Sequence, residues 1–270
     1  MPELPEVEVT CRGLRPLLTG RKVTDVVVRN PSLRVPVPGN ISDLAGCVIT
    51  SVSRRAKYIL LTVGSKTAVI HLGMTGHLSV VDQKEPLKKH DHYDFILDDG
   101  KLMRYNDPRR FGGLWLLEGE PFSQAPLLGL GVEPLTDDFS AEYLYSRLQT
   151  RNCPVKLSLM NNVIVVGIGN IYASEVLFAS GIHPGRPSAE ITQEECEKLT
   201  SVIREKLEES IRNGGTTIRN YAQVDGSRGE FADRLMIYGK KGCPCPICGS
   251  PVQSVILGQR STFYCSKCQK

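Results

Sequence analysis

The 270-residue chain has no apolar run of the roughly 18 to 20 residues that a helix needs to cross a bilayer. Its first residues carry acids where a secretory leader has a basic and then an apolar stretch. A soluble, cytoplasmic protein without a membrane partner is therefore expected. Internal repeats and low-complexity tracts are also missing, which excludes solenoid and propeller arrays. Acids are missing from one place in particular. Residues 239–270 contain Lys240, Lys241, Arg260, Lys267 and Lys270 with no Asp or Glu, a charge of +5 in a chain whose total is +4. A short basic module on a nearly neutral body suits a polyanion, although a solvated tail has the same composition. A disulfide framework is excluded by the cysteines, which number nine, an odd count. Cys11, Cys47, Cys153 and Cys196 are scattered, whereas Cys243, Cys245, Cys248, Cys265 and Cys268 crowd the last 28 residues. Such clustering points to metal.

Periodicity divides the chain. Val7, Cys11, Leu14 and Leu18 recur at helical spacing, with Gly20 able to end the helix. The runs 22–29, 47–53, 58–63, 68–72, 93–97 and 113–117 are short and rich in Val, Ile, Leu or aromatics. Asp98-Asp99-Gly100 reads as a hairpin turn. Residues 20–120 are thus expected to form an antiparallel sandwich or barrel. Gly129 to Phe139, carrying Gly131 and Pro134, reads as a linker. Beyond it Ser140 can cap a helix through Leu148, and an apolar stripe from Asn170 ends at Gly181. Thr192 with Glu195 forms a capping-box signature before Leu199, Ile203, Leu207 and Ile211.

Cys245-Pro-Ile-Cys248 and Cys265-Ser-Lys-Cys268 lie 16 residues apart, the spacing of a four-cysteine zinc ribbon. A closed set of four thiolates leaves no position for substrate, so one structural Zn2+ is the expected cofactor. Cys243 competes with Cys245 for the first ligand place, and the two-residue gap to Cys248 favours Cys245.

Four further groupings carry chemistry. If Met1 is removed, Pro2 presents a secondary amine, and α-amino groups titrate low enough (about 7.7–8.0) to be partly nucleophilic at neutral pH. Glu3 tethers a carboxyl beside it, yet the same Pro and Glu residues suit a plain helix start. Arg260, between the cysteine pairs, sits where a hairpin tip would offer a guanidinium to phosphate. Gly167-Ile168-Gly169-Asn170 precedes a helix in the manner of a phosphate site, or of a close-packed turn. Arg104 to Phe111 places two arginines beside an aromatic after Asp107-Pro108, suited to phosphate contact and base-step insertion or to an exposed salt-bridged loop.

Together, Pro2-Glu3-Leu4-Pro5-Glu6, Arg55-Ala56-Lys57-Tyr58, His71-Leu72-Gly73-Met74, Asp107-Pro108-Arg109-Arg110-Phe111-Gly112, Gly169-Asn170-Ile171-Tyr172-Ala173-Ser174-Glu175 and the ribbon closely resemble bacterial formamidopyrimidine-DNA glycosylase along the whole chain. The resemblance implies an α+β protein. An N-terminal antiparallel β-sandwich with flanking helices (1–130) precedes a helix–two-turn–helix domain (131–235) and a zinc ribbon (236–270), with DNA held between sandwich and C-terminal domains. It implies a monomeric, bifunctional glycosylase and AP lyase acting on double-stranded DNA that contains oxidised purines or abasic sites. Pro2 is then the nucleophile, Glu3 a proton donor to the opening sugar, Lys57 the proton donor for β-elimination and Arg260 the residue of the δ step. The target base must leave the stack. By resemblance Met74, Arg109 and Phe111 fill the gap, while His90, Arg109, Arg151 and Asn170 hold phosphates. Glu6, Thr217, Arg219 and Tyr221 line the lesion pocket, and 216–231 resembles the loop that closes over the extruded base. Cys243 and Asn161-Asn162 depart from the family pattern without touching that set. Two rivals stand beside this reading: an endonuclease VIII-like enzyme for oxidised pyrimidines, and a catalytically silent zinc-ribbon protein that binds damaged DNA.

Overall fold

A computed structural model of the chain describes residues 1–216, 224 and 231–270. The chain forms two compact units, Met1–Leu128 with Asn213–Ala232, and Gly129–Arg212 with Asp233–Lys270. The break at Leu128 falls where the Gly- and Pro-marked stretch begins. The described residues 213–216 and 231, which the domain bounds read from the sequence place in the middle domain, cluster with the first unit.

In the first unit α1 (Leu4–Leu18) leads into β1 (Val23–Val28), β2 (Ile49–Arg55), β3 (Tyr58–Val63), β4 (Lys66–His71), β5 (His77–Asp82), β6 (Asp91–Leu97), β7 (Lys101–Asn106) and β8 (Gly113–Glu118). Two four-stranded antiparallel sheets result, ordered β1-β6-β7-β5 and β2-β3-β4-β8. Both sheets and the apolar stripe of α1 bury into one core, with Cys11, Leu14 and Leu18 meeting Val23, Ile59, Leu61, Ile70, Phe95 and Tyr105. Each fully buried aliphatic or aromatic side chain there contributes about 1.5–3 kcal/mol over its exposed state. This is the expected sandwich. Two strands lie outside the runs marked in the sequence: β7, and β5, an edge strand in which only Leu78 is fully buried, so its apolar alternation is faint. Pro16 stands inside α1, in its last turn, where the helix ends at Thr19 and Gly20 takes a φ of 85°.

The second unit contains α2 (Ala141–Leu148), α3 (Val155–Leu159), α4 (Asn170–Ser180), α5 (Gln193–Arg212) and the ribbon hairpin β9 (Gln253–Leu257) and β10 (Arg260–Tyr264). Its helix ends follow their sequence signals. The Ser140 side chain caps α2 by accepting from Tyr143 N, and Gly181 closes α4 in the left-handed region. The Thr192–Glu195 box is reciprocal, with Thr192 N donating to Glu195 Oε2 at 3.0 Å and Glu195 N to Thr192 Oγ1 at 3.2 Å. No helix among the described residues is long and apolar enough to cross a membrane.

Candidate active site and nucleic-acid interface

In the first unit the start of α1 is built by two carboxylates. Glu3 is the N-cap and forms a capping box with Glu6, whose Oε2 accepts Glu3 N at 2.8 Å. The other Glu6 oxygen accepts Thr216 N at 2.8 Å, so one buried side chain ties the helix start to residue 216. Pro2, Glu3 and Glu6 are buried, while Met1 is 48% exposed. The amine present here is that of Met1, one residue outside the Pro2 nitrogen. Its pKa is held below the ordinary value, above all by burial; Glu3 and Glu6 raise it, and Lys57 and Arg109 lower it. Four charged side chains from three separate sequence segments therefore act on the chain's terminal amine.

Lys57 reaches this place from a two-residue turn. Arg55 pairs with Tyr58 across β2 and β3, leaving Ala56 and Lys57 between them, and Ala56 takes a φ of 53°. That conformation is strained for a residue with a Cβ, on the order of 1–3 kcal/mol, and is over-determined by its surroundings, since Ala56 is 1% exposed and Lys57 8%. His71, opposite Tyr58 on β4, accepts Gly73 N on Nδ1 at 3.0 Å, which leaves its Nε2 as the proton-bearing nitrogen. Burial, then the Lys57 and Arg34 charges, push its pKa down to about 4, so it is neutral at pH 7.

Two loops of the same unit present an apolar and cationic group. Met74 is 39% and Phe111 40% exposed, and the Arg109 guanidinium lies 4.5 Å from the Phe111 ring centroid. Both loops hang on Asp107, which is fully buried. Its Oδ1 accepts Thr75 Oγ1 at 2.5 Å and Arg109 N at 3.2 Å; its Oδ2 accepts Gly112 N at 2.9 Å and Tyr105 OH at 3.1 Å. Gly73 has a φ of 66°, and a Cβ there would collide with the Phe111 and Gly112 backbone, so glycine lets the loops touch. His90 lies beside this hub, its carbonyl accepting Asp107 N at 3.1 Å.

In the second unit Asn170 opens α4 and the ribbon hairpin approaches it. Asn170 Nδ2 donates to Ser261 O at 2.9 Å. The fully buried Lys156 donates to Asn170 Oδ1 at 2.6 Å and to Thr262 Oγ1 at 2.7 Å. Arg260 follows the tight turn Gly258-Gln259 and is exposed. The Cys245, Cys248, Cys265 and Cys268 sulfurs all lie within 4.8 Å of one another, with 3.9 Å between Cys245 and Cys268 and 3.5 Å between Cys248 and Cys265. Zinc–thiolate bonds of about 2.3 Å put tetrahedral sulfurs roughly 3.8 Å apart, so the four fit one zinc ion.

Residues 1–114 match the Formamidopyrimidine-DNA glycosylase N-terminal domain, residues 130–222 the Formamidopyrimidine-DNA glycosylase H2TH domain, and residues 242–270 the zinc finger found in FPG and IleRS. A protein named Formamidopyrimidine-DNA glycosylase from Hydrogenovibrio crunogenus is 49% identical, covering 100% of this chain and 97% of that protein. One of the same name from Thioalkalivibrio sulfidiphilus is 48% identical over 100% of both. The chain belongs to the formamidopyrimidine-DNA glycosylase family. Among solved structures, the MutM (Fpg) protein from Thermus thermophilus superposes with a TM-score of 0.89 at 38% identity, covering 99% of this chain and 98% of that one. The Lactococcus lactis FPG mutant G226P, in complex with a Fapy-dG containing DNA, does so at 0.91 and 31% identity over 100% of both.

With the formamidopyrimidine-DNA glycosylase family established, the zinc-finger match and the four-thiol cluster assign the ribbon one structural zinc ion. Cys243 is exposed and stands outside the cluster. Pro2, Glu3, Glu6, Lys57, Met74, His90, Arg109 and Phe111 lie in the first unit, and Arg151, Asn170 and Arg260 in the second. Arg151 Nε is buried and has no hydrogen-bond partner among the described residues. Thr217, Arg219 and Tyr221 lie outside the described residues. The sequence reading passed over Asp107 as a hub, although Asp before Pro is a turn signal whose side chain often bonds its own loop. It also passed over Lys156, which reads as an ordinary surface lysine, and Glu175, whose carboxylate accepts the backbone N–H groups of Met236, Ile237 and Tyr238 at 2.8–2.9 Å. No sequence signal distinguishes those two.

Proposed function

We propose that the chain is a bifunctional DNA glycosylase and AP lyase of base excision repair. Its substrates are oxidised purines such as 8-oxoguanine and formamidopyrimidines in double-stranded DNA, and it acts as a cytoplasmic monomer. The observation that carries the reading is the convergence of Glu3, Glu6, Lys57 and Arg109 on a partly buried terminal amine of lowered pKa. Removal of Met1 makes the Pro2 secondary amine the terminus, and an unprotonated α-amine is a nucleophile toward electrophilic carbon. The Pro2 nitrogen attacks the sugar carbon as the base leaves, and Glu3 protonates the opening ring. A secondary amine gives an iminium that cannot relax to a neutral imine, so it acidifies the neighbouring C–H and permits loss of the 3′ and then the 5′ phosphate. Lys57 serves the first elimination and Arg260 the second. Met74, Arg109 and Phe111 occupy the space of the extruded nucleotide, which suits two exposed apolar side chains and a guanidinium held together by one buried carboxylate. His90, Arg151 and Asn170 hold phosphates, and Glu6 with Thr217, Arg219 and Tyr221 forms the lesion pocket.

Borohydride trapping tests the reading. The Met1-processed protein is expected to form a covalent adduct with 8-oxoguanine:C and abasic duplexes, while Pro2→Gly or retained Met1 suppresses it. Undiminished trapping by a Met1-retaining chain would remove the terminal amine from the mechanism. Excision of thymine glycol in preference to 8-oxoguanine would overturn the substrate class.

A further inference from the structure

α1 runs along β2, the edge strand of its sheet, and its side chains at positions 8, 11 and 15, which share one helical face, all engage that strand. Arg15 Nε donates to Val52 O at 3.1 Å, and Cys11 Sγ donates to Ser53 O at 3.3 Å. Burial pushes the Cys11 thiol up to about 12, so it keeps the proton it donates. Glu8 accepts Arg54 Nε at 3.0 Å on one oxygen and Arg12 Nε at 2.9 Å on the other. Arg54 then directs a second N–H to the turn itself, its Nη1 donating to Ala56 O at 3.0 Å. That carbonyl belongs to the peptide bond joining left-handed Ala56 to Lys57. A continuous chain of bonds thus runs from the helix whose N-cap is Glu3 to the peptide that carries Lys57.

We propose that Glu8 and Arg54 are positioning residues that fix the Lys57 ammonium relative to the terminal amine during strand cleavage. The inference rests on the reading that the Pro2 amine and Lys57 act in that step. Lysine is a point charge on a flexible four-carbon stem, and the backbone beneath it sets where that stem begins. That backbone is strained at Ala56, and Arg54, bonded to Glu8 of the helix, donates to its carbonyl. Misplacement of a reacting group by about 1 Å can cost 100-fold in rate. The pair is also built to stay ionised. Burial opposes charge on Glu8, yet the bonds from Arg12 and Arg54 outweigh it and hold the carboxyl below its usual range.

The test uses the full Met1-processed chain and a preformed abasic duplex under single-turnover conditions. Arg54→Ala is expected to lower the strand-cleavage rate constant by roughly tenfold or more. Its trapped-adduct amplitude and duplex affinity should stay within about twofold. Arg54→Lys keeps the charge toward Glu8 but not the fork, so it should retain most of the defect. Glu8→Gln should give a milder one, and both serve if Arg54→Ala fails to fold. In a Lys57→Ala background, Arg54→Ala should add nothing further. A loss of amplitude at unchanged rate constant would mean that Arg54 only stabilises the fold, and additive losses would mean that it does not act through Lys57. Either result overturns the proposal. If Lys57→Ala alone leaves strand cleavage intact, the underlying assignment of Lys57 fails instead, and that shows without any change at Arg54.

Discussion

Asp107 accepts four donors, two on each carboxylate oxygen, and the two on one oxygen are opposed if that oxygen becomes an amide N–H2. Leaving buried donors unsatisfied costs about 1–3 kcal/mol, and more where the acceptor was charged. Asp107→Asn is therefore expected to lower unfolding stability by at least that amount in denaturant melts. It should also free Phe111 and Arg109 from their fixed relation, weakening discrimination between lesion-containing and undamaged duplex more than it weakens duplex binding itself. A second residue makes a pH prediction. His71 has a folded pKa of about 4 against an ordinary 6.5, set by burial and then by Lys57 and Arg34. Below 6.5 the unfolded chain takes up a proton that the folded chain refuses. The contribution of neutral His71 is thus complete above 6.5 and is lost as the pH falls toward 4, on the order of 2–3 kcal/mol. Denaturant unfolding between pH 7 and 4.5 should show a steep decline that His71→Gln flattens, because glutamine can still accept Gly73 N. An equally steep decline in the variant would assign the acid sensitivity to other groups.

At the level of elements, what the sequence made legible was whatever depends on local rules. Ser140, Thr192 with Glu195, and Gly181 mark helix ends because capping is decided within four residues, and the structure places them so. The cysteine pairs were equally plain, since ligand spacing is itself local. What stayed hidden depends on packing between distant segments. β5 carries one buried residue, α3 is five residues long after Pro154, and the Lys156 ammonium is buried by a hairpin more than a hundred residues away. The ribbon's prediction follows from its composition. Its apolar cluster is small, with Ile237, Val252, Cys245 and Cys265 gathered around Phe178 of α4, so metal bonds supply what core burial cannot. Cys265→Ser or strong chelation is expected to release one equivalent of zinc. Far-UV signal from the sheets of the first unit should persist while duplex affinity falls. Unchanged affinity after zinc loss would make the ribbon peripheral to binding.

For the molecule as a whole, the near-neutral charge is informative because a net +4 cannot by itself hold a duplex at physiological salt. Affinity must come from a few cations placed against phosphates, and each phosphate neutralised releases counterions with a slope of about 0.9 in log K against log salt. Among the residues proposed to meet the DNA, Lys57, Arg109, Arg151 and Arg260 bring cationic side chains, Asn170 is neutral, and the buried Lys156 is already engaged by Asn170 and Thr262. A slope of about −3 to −4 is therefore expected for an abasic duplex, far shallower than an extended basic surface would give. Arg260→Ala should reduce its magnitude by about one, and Asn170→Ala should weaken binding without changing it. A wild-type slope steeper than about −6 would mean that the five positive charges of residues 239–270 engage DNA along with the exposed lysines of the sandwich, and the point-contact picture would have to be replaced by a broad electrostatic one.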